Sequence, residues 1–82
     1  MTYKTSGTCS RQIDFEIIDN KVHNVRFTGG CNGNTQGVAA LIEGMDVDEA
    51  ILRMKGIKCG VRPTSCPDQL ATALMQAKEQ IA

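Results

Sequence analysis

The stretch RQIDFEIIDNKVHNVRFT, residues 11 to 28, decides the fold, because apolar residues recur at every second position on both sides of a short polar turn. A period of two is typical of a strand with one buried face. The turn residues, Asp19 and Asn20, both tolerate a left-handed backbone. We therefore predict an antiparallel β-hairpin, to which residues 3–5 are expected to add a short third strand. The predicted inward positions are Ile13, Phe15, Ile17, Val25 and Phe27.

The sequence after the hairpin changes to helical spacing, with apolar residues three and four positions apart in three stretches. Gly44 is expected to end the first helix and Gly56 the second. Asp46 and Glu49 form a variant of the capping box at the start of the second helix. The third helix is predicted from Pro67 onward, because proline is well tolerated at the first helical position. The predicted buried positions are Val38, Leu41, Ile42 and Met45, then Val47, Ala50, Ile51 and Met54, then Leu70, Leu74, Ala77 and Ile81.

The order of the elements, strands first and helices after, predicts an α+β fold. We expect a small antiparallel sheet, the hairpin plus its third strand, with three helices packed on one face. A chain of 82 residues is long enough for one domain, residues 1–82, but not for a second core. Chains of this size bury a smaller share of their surface on folding than larger domains do, so a metal ion or disulfides often add stability.

Charge and composition argue against several classes of partner. Nine basic residues balance nine acidic ones, and neither sign gathers into a run, whereas nucleic acids and anionic membranes select a basic patch. Three aromatic residues are too few for a base-stacking platform. The segment MTYKTSGTCS has neither the charged nor the apolar part of a signal peptide, and no apolar run is long enough to span a bilayer. We expect a cytoplasmic protein.

Four cysteines, Cys9, Cys31, Cys59 and Cys66, lie at the ends of predicted elements rather than on apolar faces. Cys9 precedes the first long strand and Cys31 follows the second, so an antiparallel hairpin brings both to one edge of the sheet. Cys59 lies in the loop after the second helix, and Cys66 occupies the predicted N-cap position directly before Pro67. This arrangement allows the four thiols to converge.

The positions of the cysteines favour metal binding, because cytosolic cysteines are more often ligands or catalysts than disulfide partners. A helix N-terminus stabilises a thiolate, and four thiolates suit Zn²⁺ or an iron–sulfur centre. Two other interpretations stay open, namely unliganded reactive thiols and a disulfide such as Cys59–Cys66. His23 lies within the second strand of the hairpin and is expected to be a surface or packed residue rather than a ligand.

Three segments of the chain resemble the TSCPD-domain family of small four-cysteine proteins. They are TSCPDQLA at 64–71, GGCNGN at 29–34 and TCS at 8–10. That family is related to a C-terminal domain of adenosylcobalamin-dependent ribonucleotide reductases. The resemblance implies a metal-associated domain linked to ribonucleotide reduction. It does not imply that this chain reduces nucleotides, since the catalytic barrel of a reductase is far longer.

The order of elements and cysteines is also similar, more distantly, to the NifU-like iron–sulfur cluster scaffolds. That resemblance implies a NifU-like scaffold architecture with Cys9, Cys31 and Cys66 at the three cluster-ligand positions. Two departures are Arg11, where scaffolds have an acidic residue, and Ser65, where they often have histidine. Cys59 would be the fourth ligand, which favours a permanently closed site over a transient one.

Three functions follow as expectations. The first is a Cys₄ metal-binding module, with zinc as the expected metal, that serves as an accessory to ribonucleotide reductase. The second is an iron–sulfur scaffold or carrier that works with the iron–sulfur machinery, and the third is a dithiol redox protein that donates electrons to a reductase through Cys59 and Cys66. In each case we expect a protein partner, and we do not expect the chain to be an enzyme on its own.

Overall fold

The computed structural model describes residues 1–5, 7, 10–29, 32–58, 60–61 and 64–81. It contains a three-stranded antiparallel sheet in the order β1-β2-β3, followed by helices, which confirms the predicted α+β fold. The elements are β1 (Thr2–Lys4), β2 (Ser10–Ile18), β3 (Lys21–Gly29), α1 (Asn32–Ile42), α2 (Val47–Met54) and α3 (Cys66–Ile81). None of the helices within these ranges is long and apolar enough to cross a membrane.

The hairpin of β2 and β3 turns at the two predicted residues. Asp19 and Asn20 have φ of 53° and 63°, and Ile18 pairs directly with Lys21. Positive φ at both central residues is the geometry of a type I′ turn, whose twist matches that of the strands. The third strand is also confirmed, since β1 pairs antiparallel with β2 and Tyr3 lies opposite Ile13.

A bulge in β3 corrects the pattern of inward residues. Asp14 pairs with Arg26 but Glu16 pairs with His23, so β3 has one more residue than β2 between these pairs. Asn24 lies in the extra stretch with φ of 56°. Because the bulge reverses the alternation of side chains, Val22 is fully buried on the same side as the predicted residues Val25 and Phe27.

The core joins one face of the sheet to the helices. Most predicted inward positions are buried or partly buried there, but Leu41 in α1 is 80 % exposed, so that prediction is wrong. Alanines of α3 that the sequence pattern did not single out, Ala71 and Ala73, are buried and allow close packing. The buried apolar residues are Ile13, Phe15, Val22, Ile42, Val47, Ala50, Met54, Leu70, Ala71, Ala73, Leu74 and Ala77.

The two ends of α2 follow the predicted caps. Asp46 caps α2, since its carboxylate accepts hydrogen bonds from the amides of Asp48 and Glu49 at 3.1 and 3.4 Å. The Glu49 carboxylate accepts instead from Arg53, at 2.7 Å, so the capping box is not reciprocal. Gly56 follows α2 with φ of 86°, as a C′ glycine does.

The link between α1 and α2 covers part of the outer edge of β3. The amide of Val22 donates to the carbonyl of Met45 at 2.9 Å, and the amide of Gly44 donates to the carbonyl of Val22 at 2.7 Å. These bonds pair backbone groups that an edge strand otherwise leaves open. They hold the link between α1 and α2 against β3.

Candidate metal centre

The start of α3 is capped by Ser65 rather than by Cys66. The carbonyl of Ser65 accepts the first helical hydrogen bond, from the amide of Gln69 at 2.8 Å, and its Oγ accepts from the amide of Asp68 at 3.2 Å. These are the two marks of an N-cap residue. Cys66 is therefore the first helical residue and Pro67 the second. The sequence prediction was wrong by one position, because a hydroxyl oxygen accepts amide hydrogens better than a thiol does.

Ser65 and Asp68 also bind the chain that precedes α3. The hydroxyl of Ser65, which is only 4 % exposed, donates to the carbonyl of Ile57 at 2.6 Å. The carboxylate of Asp68 accepts from the amide of Gly56 at 2.7 Å and from the hydroxyl of Thr64 at 2.5 Å. The end of α2 is thus held against the first turn of α3.

The thiol of Cys66 contacts the sheet at the first residue of β2. Its Sγ lies 3.1 Å from Oγ of Ser10, which is 3 % exposed, and either atom can be the donor. Cys66 is half-buried and carries a free thiol. This contact, across 56 residues of sequence, fixes the sulfur where the N-terminus of α3 meets the start of β2.

Cys9, Cys31 and Cys59 lie outside the described residues, so their predicted convergence with Cys66 stays a prediction. Ser10, which follows Cys9, contacts Cys66 and pairs with Gly29, two positions before Cys31. Ser10, next to Cys9, and Gly29, near Cys31, therefore lie opposite each other in the sheet.

Gly7 and Ile57, which lie close in sequence to two predicted ligands, are both near the start of α3. A Cβ on Gly7, two positions before Cys9, would lie 3.0 Å from Cγ2 of Thr64. Ile57, two positions before Cys59, is bound by Ser65 through its carbonyl. The described residues alone contain no group of three or more metal-ligating side chains.

His23 has a partner away from the helix start. Its Nδ1 lies 2.6 Å from Oε2 of Glu43, and the amide of Asn24 donates to Oε1 of Glu43 at 2.8 Å. These two hydrogen bonds lower the pKa of the Glu43 carboxyl below its ordinary value of 4.5, and the bond from the Asn24 amide has the larger effect and the bond with His23 the smaller. The cluster joins the end of α1 to β3.

The family of the chain follows from its sequence as a whole. Residues 1–78, which include all four cysteines and the helix start, match the sequence model of the TSCPD domain. The chain belongs to the TSCPD-domain family. Comparisons of this TSCPD domain with curated proteins and with solved structures gave no match. The resemblance to NifU-like scaffolds, including the NifU-like architecture, stays a prediction.

Sequence reasoning missed three residues of this TSCPD domain that shape the surroundings of Cys66, namely Ser10, Ser65 and Asp68. A signal existed for two of them, because Ser65 and Asp68 form the pattern [ST]-x-x-[DE] that marks a helix start. The contact of Ser10 with Cys66 has no local sequence signal, since it depends on how β2 and α3 pack.

Proposed function

We propose that this chain is a small metal-binding module in which Cys9, Cys31, Cys59 and Cys66 hold one Zn²⁺. The observation that carries the proposal is the contact of Cys66 with Ser10. Described residues one or two positions from each of the other three cysteines lie near this contact. One or two residues of chain reach at most about 7 Å, which is compatible with a shared site. Four thiolates are a donor set that zinc prefers.

The residues around Cys66 fit a role in orienting a ligand. The Ser10 hydroxyl can donate a hydrogen bond to the sulfur, and Ser65 and Asp68 hold the backbone that presents it. Such partners of a ligand fix its rotamer, and their loss weakens metal affinity by roughly 10–100-fold. When bound, zinc would supply folding free energy, which matters in a domain of this size.

The biological part of the proposal rests on the family. The resemblance to a C-terminal domain of ribonucleotide reductases supports a role as a cytoplasmic accessory module that binds such a reductase. No residue is proposed as catalytic. Calorimetric titration of the zinc-loaded chain into a purified adenosylcobalamin-dependent reductase tests this part, and the absence of binding would refute it without affecting the metal site.

Metal content per chain tests the metal site. The protein is purified without oxygen, its metals are measured by plasma mass spectrometry and its free thiols are counted. We expect one zinc per chain with the thiols protected, and loss of the zinc in Cys66→Ser. Met75→Ser is the matched control, because Met75 is a sulfur-bearing, 37 % exposed residue of the same helix and should leave the metal in place.

The other outcomes discriminate between the alternatives. Iron with acid-labile sulfide would replace the zinc proposal by an iron–sulfur scaffold. No metal, together with a reversible disulfide between Cys59 and Cys66, would favour the dithiol redox protein. No metal and four freely titrating thiols would refute both metal proposals.

A further inference from the structure

The first residues of β2 interrupt the regular pairing of the sheet. Ser10 pairs with Gly29. The next pair is Gln12 with Thr28, so β2 has one extra residue, Arg11, where β3 has none. This is a β-bulge, a feature that re-aims side chains and occurs often beside functional sites. It lies at the end of β2 that contacts the start of α3.

The bulge at Arg11 decides which face of the sheet Ser10 occupies. Ile13 and Phe15 are buried in the core, on the face that packs against the helices. Strict alternation from them would place Arg11 on that face and Ser10 on the outer one. The structure shows the reverse, since Arg11 is exposed and Ser10 is 3 % exposed. The extra residue thus turns Ser10 to the face where its hydroxyl lies 3.1 Å from Sγ of Cys66.

Thr5, directly after β1, holds this bulge through two hydrogen bonds. Its amide donates to the carbonyl of Arg11 at 3.2 Å, and its hydroxyl donates to the carbonyl of Ser10 at 2.5 Å. In a regular strand the carbonyls of successive residues point to opposite neighbouring strands, so one residue normally binds only one of them. The hydroxyl of Thr5 therefore binds a carbonyl that the bulge has turned towards β1.

We propose that Thr5 is a positioning residue of the proposed zinc site and that it acts through the bulge on Ser10 and Cys66. This inference rests on the proposed function. A cysteine that binds zinc has lost its proton, so the Ser10 hydroxyl is the donor in its contact with the sulfur. Without the hydroxyl of Thr5, the bulge loses a bond that holds it, and Ser10 is held less firmly against the sulfur.

The zinc affinity of the full chain tests the proposal. It is measured under reducing conditions by competition with a chelator of known affinity. Thr5→Val removes the hydroxyl but keeps a β-branched side chain that suits a strand. We expect it to raise the zinc dissociation constant by roughly tenfold, as the loss of a residue that supports a metal ligand does. Thr5→Ser, which keeps a hydroxyl, should bind zinc nearly as tightly as the wild type.

Thr2→Val is the matched control on the same side of the sheet. Thr2 belongs to β1, and its hydroxyl donates to Oδ1 of Asp14 at 2.6 Å in an exposed position. This variant also loses one side-chain hydrogen bond between β1 and β2, but it does not touch the bulge. Its zinc affinity should therefore equal that of the wild type.

A double-mutant cycle shows whether Thr5 acts through Ser10. Ser10→Ala removes the donor to the sulfur, so adding Thr5→Val to it should weaken zinc binding little further. If the two effects simply multiply, Thr5 contributes to the affinity by another route. Thr5→Ala, which also lacks the hydroxyl, replaces Thr5→Val in the cycle if the valine variant does not fold.

Cobalt in place of zinc gives a second readout, which general stability does not move. The sulfur-to-cobalt charge-transfer absorption depends on the hydrogen bonds that the ligand sulfur accepts, because such partners tune the ligand. Thr5→Val and Ser10→Ala should shift this absorption in the same direction. Thr2→Val should leave it in place.

The possible failures are distinguishable. A wild type that takes up neither zinc nor cobalt would refute the proposed function and this inference with it. A wild type that binds zinc, while Thr5→Val binds it equally well, would refute only the role of Thr5. An equal loss of affinity in Thr2→Val, or effects that multiply in the double variant, would also overturn the inference.

Discussion

Ser65 makes three hydrogen bonds at the start of α3, and two of them use its hydroxyl. Oγ accepts from the amide of Asp68 and donates to the carbonyl of Ile57. Ser65→Ala removes the partner of the Asp68 amide and of the Ile57 carbonyl at a partly buried position, where Ser65 itself is 4 % exposed. We expect the free energy of unfolding to fall by about 1–2 kcal/mol, measured by urea denaturation.

A second hydroxyl of α3 provides the control for Ser65. The Thr72 side chain donates to the carbonyl of Asp68 at 3.2 Å within the same helix, and such a bond adds little because that carbonyl already has a helical partner. Thr72→Ala should therefore change the stability by less than about 0.5 kcal/mol. Equal losses in the two variants would contradict the capping role of Ser65.

The carboxyl of Glu43 makes the stability of the folded protein depend on pH, and the sign of this dependence follows from the hydrogen bonds that Glu43 accepts. Because the pKa of its carboxyl is lower in the folded protein than its ordinary value of 4.5, its contribution to stability is fully present above pH 4.5. The contribution is lost as the pH falls below 4.5 through the folded pKa. The difference in stability between the wild type and Glu43→Gln, measured from pH 7 to pH 3, should therefore shrink in that acidic range.

The variant His23→Gln separates the two causes of the lowered pKa of Glu43. The amide of Asn24 has the larger effect on the Glu43 pKa, and His23 the smaller. The free energy of unfolding should therefore differ between His23→Gln and the double variant His23→Gln, Glu43→Gln by an amount that keeps most of its dependence on pH. If that dependence disappears, the side chain of His23 rather than the backbone amide lowers the pKa.

At the scale of elements, the bulge of β3 depends on a residue with positive φ. Asn24 tolerates φ of 56° because its short polar side chain is suited to left-handed backbone, whereas a β-branched residue is strained there. Asn24→Val should lower the free energy of unfolding by about 1–2 kcal/mol. Asn24→Gly should lose less than half as much, because glycine has no Cβ.

Thr28→Val is the control for the bulge. Thr28 is exposed on the same strand, and its φ is not among the positive values. Valine suits an ordinary strand position, so this variant should keep or slightly raise the stability measured by denaturation. A similar loss in Thr28→Val and Asn24→Val would show that the bulge geometry is not the cause.

The same elements show how much of the fold can be predicted from sequence. The period-two stretch and its turn predict the hairpin because the information is local. The bulge is not visible in the sequence, because strict alternation from Val25 and Phe27 would place Val22 on the outer face of the strand, and only the inserted residue turns Val22 inward. Leu41 has the correct helical spacing, but spacing cannot say whether a neighbouring element covers it. The cap of α3 was misplaced by one position because Ser65 and Cys66 both precede Pro67.

At the scale of the whole molecule, the core is small, so zinc bound at the proposed site would make a large contribution to the stability of the folded protein. A ligand that binds only the folded state stabilises it by up to 1.4 kcal/mol for each tenfold rise in free ligand above the dissociation constant. For a domain of this size, that corresponds to a rise in Tm of roughly 6–11 °C. We therefore expect Tm, measured in zinc buffers under reducing conditions, to rise by up to this amount per tenfold increase in free zinc.

The Cys66→Ser variant shows whether this dependence comes from the cysteine site. Its Tm should respond much less to free zinc, because three thiolates bind the metal more weakly than four. Met75→Ser should follow the wild type, since Met75 lies on the exposed side of α3. A wild-type Tm that stays constant from chelated to micromolar zinc would contradict a structural zinc site, and the twelve buried apolar side chains of the described core would then stabilise the fold without it.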